Sequence, residues 1–546
     1  MSFFDDASLA FLPSSGAGKD GKAYSIKPTT GDGDFTFSRG SNLAATRVGA
    51  DGLIEKGREN LVTRSNELDL WNIRDVTGGH AGYDGTNDAW LQSGIGRLQR
   101  NLSLSSSVYT GSVYVKAGFS DYVQLYLVGS SNALARFQLT GSGTIVNSGG
   151  ISPKIEPVSG ATGWYRISTN LNGSITTFRI YPQNDSSGTQ TADSSVYVQD
   201  AQLELGLAAT DVIETGATTG KAGLLEDDPR FDYSGGATCP SLLLEPSRTQ
   251  LYGYSEYSGI WNKTNWTTTD NYAISPEGVQ NAFRAVSTNN SGILYLSGTG
   301  TTGQDNTLSV WAKSNTGADQ KFRFWGNGNT TTSSDFTATT EWQRFDYTYN
   351  CTFITAGIKG ASSELSDILF YGFQHEAGSY PTSYIPNHSG GSVTRGAEGR
   401  NYSGFSSLIG QTEGTLFLDI ENAENNTEIF SLNRSTINSI FLLASSGVYR
   451  AFIYSDGTTV SQLTSINVSD RIKIAIAYQS NNFAIYANGS QVWVDSTLNW
   501  TPNVAIDLIN FNNGGYVSSK GVARYNQVLL FKEALSDTEL IKLTTI

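Results

Sequence analysis

The chain has 546 residues, of which 16% are charged, 11% are aromatic and 59 are glycine. Its formal net charge is −14, and the sequence shows no basic face of the size that binding to a phosphate backbone requires. Both observations argue against a nucleic-acid partner. The length suits several domains, and a composition rich in glycine and poor in charge is typical of short strands joined by turns. We therefore predict an all-β protein built as a series of antiparallel β-sandwiches.

Residues 1–57 form a short leader that is too small to bury a core of its own. Within it, residues 35–39 alternate between apolar and polar, and Asp51-Gly52 predicts a turn between two short strands. We expect the leader to pack on a neighbouring domain or another subunit as an attachment element. The first six residues lack the basic start and apolar run of a secretory signal, and no later run predicts a membrane span. We therefore expect synthesis in the cytoplasm without membrane insertion.

A repeat dominates the middle of the chain. Residues 58–216 and residues 248–394 carry the same landmarks in the same order. The paired landmarks are Trp71 with Trp261, Trp164 with Trp342, and the Gln-x-Glu-x-Gly segments that begin at Gln202 and Gln374. This self-similarity indicates one β module that has been duplicated, with a shared scaffold and loops that diverge.

Residues 217–247 join the two copies, and prolines on both sides of a triple leucine favour an ordered, extended connector. Residues 395–546 predict a further β domain, with a hairpin turn at Asn488-Gly489. Ser536 and Glu539 match the capping box of a short terminal helix.

The two cysteines, Cys239 and Cys351, fall in different predicted segments. Their separation indicates neither a disulfide framework nor a metal cluster. We predict two free thiols that are mostly buried.

The folded modules resemble known families. Both copies of the repeat resemble jelly-roll carbohydrate-binding modules, each ending in its Gln-x-Glu-x-Gly strand. Residues 395–546 resemble the concanavalin A-like lectin/glucanase sandwich in its laminin-G-like form, on the Glu-Gly-Thr-Leu, Tyr-Ala-Asn-Gly and Ala-Leu-Ser-Asp segments at 413–416, 486–489 and 534–537. Calcium-dependent members of that family hold the ion with acidic and amide side chains. The nearest such cluster here is Asp419, Glu421, Asn422 and Glu424, but oxygen-rich loops are mostly solvated turns. We therefore predict no cofactor, with calcium at this cluster as the alternative.

The leader and the connector are similar to a different group. Some of their sequence segments resemble segments in structural proteins of tailed bacteriophages, including tail-fibre-like and head-fibre-like proteins. These segments are residues 35–47, 52–55, 229–233 and 241–249. This resemblance implies a place in the virion and contacts with other virion proteins through the leader. It also implies a homo-oligomer, with a trimer as the expected form, and it leaves head and tail locations open.

Sugar binding requires aromatic faces for the C–H side of the ring and polar side chains for the hydroxyl groups. The aromatic candidates are Trp71, Tyr83 and Trp90 in the first copy and Trp261, Trp266, Tyr272 and Trp325 in the second. An aromatic residue kept in both copies is better explained by core packing, so unpaired aromatics beside polar residues are favoured. The predicted glycan-binding residues are Asn87, Asp88, Trp90, Trp266, Trp325, Asn327 and Asn329.

Catalysis finds little support in the sequence. Asp419 and Glu421 have the i, i+2 spacing that places two carboxylates on one face of a strand, but such pairs are common at strand edges. The histidines, His80, His375 and His388, have no partners at the spacing of a metal site or a catalytic triad. We predict a non-enzymatic virion protein of the fibre or fibre-adaptor kind that binds host surface glycan. Two alternatives stay open: a capsid or tail decoration that contacts only other virion proteins, and a polysaccharide depolymerase.

Overall fold

The computed structural model describes residues 3–15, 18–19, 21–39, 43–72, 75–433, 438–455, 458–502, 504–512 and 521–546. In these ranges the chain folds almost entirely into antiparallel strands, which confirms the predicted all-β class. The helices described are the α-helices Phe3–Asp6 and Asp537–Thr544 and the 3-10 helices Pro13–Ser15, Leu68–Leu70, Ser234–Gly236 and Asn327–Asn329. None of these helices is both long and apolar enough to cross a membrane.

The chain divides into two compact units, and the first comprises the described parts of Met1–Glu55, Leu224–Arg248 and Arg395–Ile546. Its larger sheet contains, in spatial order, Phe231–Asp232, Ser241–Leu244, Ala523–Phe531, Glu413–Glu421, Ile472–Gln479, Phe483–Ala487 and Ser490–Asp495, with Leu9–Phe11 paired to Ala523–Phe531. Its second sheet contains Arg400–Tyr402, Ile509–Phe511, Thr427–Leu432, Asn438–Ser445, Val448–Ser455 and Thr458–Asn467. Shorter strands of the leader are Gly18–Lys19, Lys22–Ala23, Phe35–Thr36, Thr46–Val48 and Ile54–Lys56. Buried side chains of the two sheets form one hydrophobic core.

The leader contributes to this core and does not form one of its own. Phe11 and Phe35 lie in the core, where the Phe35 ring stacks on Phe405 with centroids 5.4 Å apart. Strand Leu9–Phe11 and connector strand Ser241–Leu244 pair with successive parts of Ala523–Phe531. The leader and the connector thus complete the C-terminal sandwich, as the small size of the leader predicts.

Five buried charged residues join the three segments of the first unit. Arg230 Nε donates to Glu398 Oε1 at 2.7 Å, and Arg230 Nη2 pairs with Glu245 at 2.8 Å. Arg395 approaches Glu245 at 2.7 Å, and Arg39 approaches Glu398 at 3.2 Å. Each carboxylate is shared by two guanidinium groups, which offsets part of the cost of removing these charges from water.

The second unit comprises Lys56–Gly223 and Thr249–Thr394 and contains both copies of the repeat. In the first copy one sheet contains, in spatial order, Thr144–Ser148, Asn132–Gln138, Tyr122–Gly129, Trp164–Gln183, Leu98–Ala117, Ser195–Leu205, Ala89–Ser93 and Val76–His80, with Lys154–Pro157 paired to Trp164–Gln183. Arg58–Asn60 pairs with Gly220–Ala222. The two longest strands, Leu98–Ala117 and Trp164–Gln183, change register at β-bulges. Bulges bend a strand, which allows this single sheet to fold around one core.

The second copy is a sandwich of two separate sheets around a single core. One sheet contains Trp266–Ile274, Gln280–Ser287, Asp367–Ala377, Asp305–Ser314 and Gln343–Asn350. The other contains Asn262–Thr264, Ile293–Ser297, Thr355–Gly360, Gln320–Gly326 and Thr331–Thr332, with Phe336–Ala338 paired to Gln320–Gly326. The short strands Arg248–Gln250 and Val393–Arg395 stand at the ends of this copy.

A buried hydrogen-bond motif recurs in both copies. Gln202 Nε2 donates to Glu204 Oε2 at 2.7 Å and to the Thr210 carbonyl at 3.3 Å, and Glu204 Oε2 accepts from the Thr210 amide at 3.0 Å. Gln374 and Glu376 form the same pattern with the segment that follows their strand. The two Gln-x-Glu-x-Gly segments therefore make the same hydrogen bonds, each to the segment that follows its own strand.

The two thiols are free, but they differ in exposure. Cys351 is buried, as predicted, whereas the prediction is wrong for Cys239, which is exposed. Cys239 lies in the turn between the 3-10 helix Ser234–Gly236 and strand Ser241–Leu244, outside any packed layer.

Candidate functional site

Two of the predicted sugar-binding tryptophans lie inside the second sandwich. Trp266 and Trp325 are 4% and 3% exposed, and the Trp325 ring packs 5.0 Å from the Tyr295 ring. The polar residues beside Trp325 suggested a loop, but the residue itself is part of strand Gln320–Gly326. A ring buried in this way offers no open face to a sugar, so the predicted role of these two residues does not fit their packing.

The amide residues that follow Trp325 form a tight turn. Asn327 is buried, has a φ of 51° and donates from Nδ2 to the Asn350 carbonyl at 2.9 Å. Its Oδ1 accepts from the amides of Thr352 at 2.8 Å and Phe353 at 3.1 Å. Asn327 therefore holds the turn together. Asn329 lies in the same 3-10 helix, and its side chain is outside the described structure.

The other predicted residues, Asn87, Asp88 and Trp90, belong to the first sandwich. Asn87 and Asp88 are exposed in the loop between strands Val76–His80 and Ala89–Ser93. Trp90 is half-buried, and its Nε1 donates to the Asn66 carbonyl at 2.8 Å. A face of the Trp90 ring is covered by Gly78, where a Cβ would lie only 3.1 Å from the ring. Asn87 and Asp88 are thus at the surface of this copy, and one face of the Trp90 ring is covered.

The loop that carries Asn87 and Asp88 also contributes to an aromatic stack. The stack includes Tyr83, one of the aromatic candidates of the first copy. The Tyr83 and Tyr114 rings are nearly parallel, with centroids 3.7 Å apart and an interplanar angle of 6°. Trp164 approaches Tyr83 edge-on at 6.1 Å. Tyr83 and Tyr114 are half-buried, so part of the stack remains accessible to a ligand.

Polar groups adjoin the stack on the strand Ser195–Leu205. The Tyr83 hydroxyl donates to Asp200 Oδ2 at 2.9 Å, and the Tyr83 amide donates to Gln199 Oε1 at 3.1 Å. Gln199 Nε2 in turn donates to Asp88 Oδ1 at 2.7 Å. We call Tyr83, Tyr114, Trp164, Gln199 and Asp200 the Tyr83 cluster. The sequence does not reveal this cluster, because the stacking partner of Tyr83 is 31 residues away along the chain.

The loop that carries Tyr83 is fixed by local hydrogen bonds. The Gly82 amide donates to the Thr86 carbonyl at 2.9 Å, and Asp84 Oδ1 accepts from the Thr86 amide at 3.1 Å. Gly82 lies directly against Gln199, where a Cβ would be 2.4 Å from Oε1, so a side chain at this position would displace the amide. The loop is thereby held against the strand, which preorganises the surface.

Burial shapes the protonation of the cluster. It raises the pKa of Asp200 to about 6, although the hydrogen bond from Tyr83 opposes the shift and the neighbouring carboxylates of Asp88, Glu214 and Asp84 add to it. Burial and the adjacent Asp200 carboxylate also raise the pKa of Tyr83. The phenol therefore stays protonated at neutral pH and remains a donor to Asp200.

The matching position in the second copy is sealed. Counted from the common Gln-x-Glu-x-Gly strand, Tyr371 takes the place of Gln199. Its neighbour Glu256 accepts from Lys56 Nζ at 2.8 Å and from the Tyr384 hydroxyl at 2.9 Å. Lys56, Glu256, Tyr371 and Tyr384 are all buried, so no ligand can reach this position.

The acidic residues considered for calcium binding and for hydrolysis are not arranged for either role. Both carboxylate oxygens of Asp419 accept from Arg471, at 2.7 Å from Nε and 2.6 Å from Nη2. Glu421 is half-buried, Asn422 has a φ of 50°, and burial raises the pKa of Glu424. Among the described residues, no group of three His, Cys, Asp or Glu side chains is placed to hold a metal ion. The guanidinium neutralises Asp419, which is unfavourable for either a calcium ligand or one half of a hydrolytic pair.

Comparison with known proteins adds neighbours among solved structures. No protein-family model and no curated protein matches the chain. The chain is similar to the CBM40 of a Ruminococcus gnavus sialidase bound to α2,6-sialyllactose, with 15% identity, 27% of this chain and 93% of that chain covered, and a TM-score of 0.23. It is also similar to the CBM22-1–CBM22-2 tandem of Paenibacillus barcinonensis Xyn10C, with 14% identity, 62% and 96% covered, and a TM-score of 0.20. At these TM-scores the similarity supports no conclusion about function.

Proposed function

We propose that this chain is a non-enzymatic virion protein of the fibre or fibre-adaptor kind that binds host surface glycan through the Tyr83 cluster. The observation that carries the glycan-binding part is the half-buried Tyr83–Tyr114 stack beside Gln199, Asp200 and the exposed Asp88. Aromatic faces beside hydrogen-bonding groups are the combination that a sugar ring requires. The virion part rests on the resemblance of the leader and the connector to phage structural proteins.

The proposed contact is small and shallow. The stack belongs to a surface loop and its adjoining strand, so a single site would touch only a short stretch of glycan. Weak sites become effective when many copies bind one surface together, because each later contact is made at high local concentration. The predicted homo-oligomer would supply such copies, and it stays a prediction.

The alternative of a decoration protein is favoured by one observation. In the second sandwich the conspicuous aromatics, Trp266 and Trp325, are core residues, and the position that matches the Tyr83 cluster is sealed by Lys56. Because these aromatics serve the core, a structural role is the simpler explanation for this module. The decoration alternative would apply to the whole chain if the first copy of the repeat also failed to bind sugar.

A glycan-array screen of the full-length protein at low and high salt tests the proposal. Tyr83→Ala removes the exposed part of the stack, Tyr83→Phe keeps the ring and loses only its hydroxyl, and Phe119→Ala removes an exposed aromatic of the same sandwich outside the cluster. We expect salt-resistant binding by the wild type, Tyr83→Phe and Phe119→Ala, and its loss in Tyr83→Ala. Absence of binding to every bacterial polysaccharide by a folded wild type would favour the decoration alternative.

A further inference from the structure

We infer that the Tyr83 cluster takes uncharged sugar units and excludes sugars that carry a carboxylate; this inference rests on the proposed function. It follows from the sign of the charges around the stack and from the kind of hydrogen bond that the surface can make.

The charges around the stack are predominantly negative. Asp84 and Asp88 are exposed in the loop that carries Tyr83, and Glu214 is exposed close enough to influence Asp200. Arg166 lies over the Tyr114 ring at 5.4 Å, and Lys116 is the cross-strand partner of Trp164. Arg166 Nη2 already donates to the Ser112 hydroxyl at 3.2 Å and to the Thr210 carbonyl.

An anionic sugar on the half-buried stack would lie close to these exposed carboxylates. Repulsion between like charges is stronger near low-dielectric protein than in bulk water. Arg166 and Lys116 offset part of this repulsion, but the exposed carboxylates of Asp84, Asp88 and Glu214 outnumber them. The site thus discriminates by repulsion against the wrong ligand as well as by contact with the right one.

The hydrogen-bonding groups around the stack also favour uncharged sugars. The carboxylates of Asp84 and Asp88 are acceptors only, and the Gln199 amide nitrogen already donates to Asp88. Sugar hydroxyl groups can donate to these oxygens. A sugar carboxylate is itself only an acceptor, so it cannot donate to these oxygens as a hydroxyl group can.

Titration of the full-length protein with matched oligosaccharide pairs, identical except for a terminal hexose or hexuronate, tests the inference. We expect the neutral member to bind at least roughly fivefold more tightly at low salt, with a smaller ratio at high salt. Asp84→Asn should reduce the ratio about twofold because it removes one exposed charge, whereas Asp193→Asn, an exposed aspartate of the same sandwich outside the loop, should not.

The outcomes separate the two proposals. If neither member of any pair binds, the proposed function fails. If binding occurs and is lost in Tyr83→Ala, but the hexuronate binds as tightly as the hexose or more so, the proposed function stands and this inference is overturned.

Discussion

Asp200 shows how one residue can couple the candidate site to pH. It lies in the core-facing strand Ser195–Leu205 with a φ of 52°, and its carboxyl accepts from the Tyr83 hydroxyl. The matching residue in the second copy is Gly372, with a φ of 63°. A left-handed backbone conformation is therefore common to both scaffolds, and only the first copy places an acid there.

The raised pKa of Asp200 predicts a pH-dependent stability. Its value of about 6 exceeds the ordinary 3.8, so between these pH values the folded protein binds a proton that the unfolded chain releases. The stabilisation is complete below pH 3.8 and is lost as the pH rises through about 6. Asp200→Asn, which tolerates the positive φ, should remove this loss, on the order of 2 kcal/mol in the free energy of unfolding.

Urea unfolding of both proteins from pH 4 to pH 7 measures this difference. His375, which is buried, and His388, which is half-buried, contribute equally to both proteins and cancel in the comparison. Parallel stability curves for wild type and variant would contradict the assigned pKa.

At the scale of elements, the buried Gln–Glu motif connects each sandwich strand to the segment that follows it. Gln374 is fully buried, and its Oε1 accepts from the Ile385 amide at 2.7 Å. Without that side chain, the amide and the Glu376 carboxylate would be buried with fewer partners. The motif therefore fixes the segment that follows the strand against the strand itself.

Gln374→Ala should accordingly lower the free energy of unfolding of the second sandwich by about 2 to 4 kcal/mol. Gln343→Ala, an exposed glutamine of the same sandwich, should change it by less than about 0.5 kcal/mol. Thermal unfolding followed by circular dichroism measures both variants. An equal effect of the two substitutions would show that the buried motif is not the cause.

Elements that depend on neighbouring residues were predictable from the sequence. The Asn488-Gly489 hairpin joins Phe483–Ala487 to Ser490–Asp495, and Ser536 and Glu539 form the capping box of the terminal helix. The burial of Trp325 was not predictable from the sequence. It depends on which residues from elsewhere in the chain pack against the strand that carries Trp325. The same limit hid the Tyr83–Tyr114 stack, in which two distant residues meet only after folding.

At the scale of the whole molecule, the first unit is assembled from three separated stretches of chain that share one core and one ionic network. Glu398 accepts from both Arg39 and Arg230 and has no exposed side-chain surface. The network links the leader, the connector and the C-terminal sandwich. Loss of a single partner leaves buried guanidinium groups without full compensation.

Glu398→Gln should therefore destabilise the first unit by about 3 kcal/mol. Glu55→Gln, which breaks the partly exposed pair with Arg47, should cost less than about 1 kcal/mol. Denaturant unfolding of the full-length variants gives both values. Equal stability of the two variants would mean that the buried network contributes no more than a surface ion pair.

The central claim is that the chain binds glycan at one place, the Tyr83 cluster. The measurement that tests it most directly is calorimetric titration of wild type, Tyr83→Phe and Tyr83→Ala with the strongest ligand from the array. We predict one site per chain, because the matching position in the second copy is sealed by Lys56, with binding kept in Tyr83→Phe and lost in a folded Tyr83→Ala. Unchanged binding by Tyr83→Ala would contradict this account and place the sugar elsewhere on the molecule.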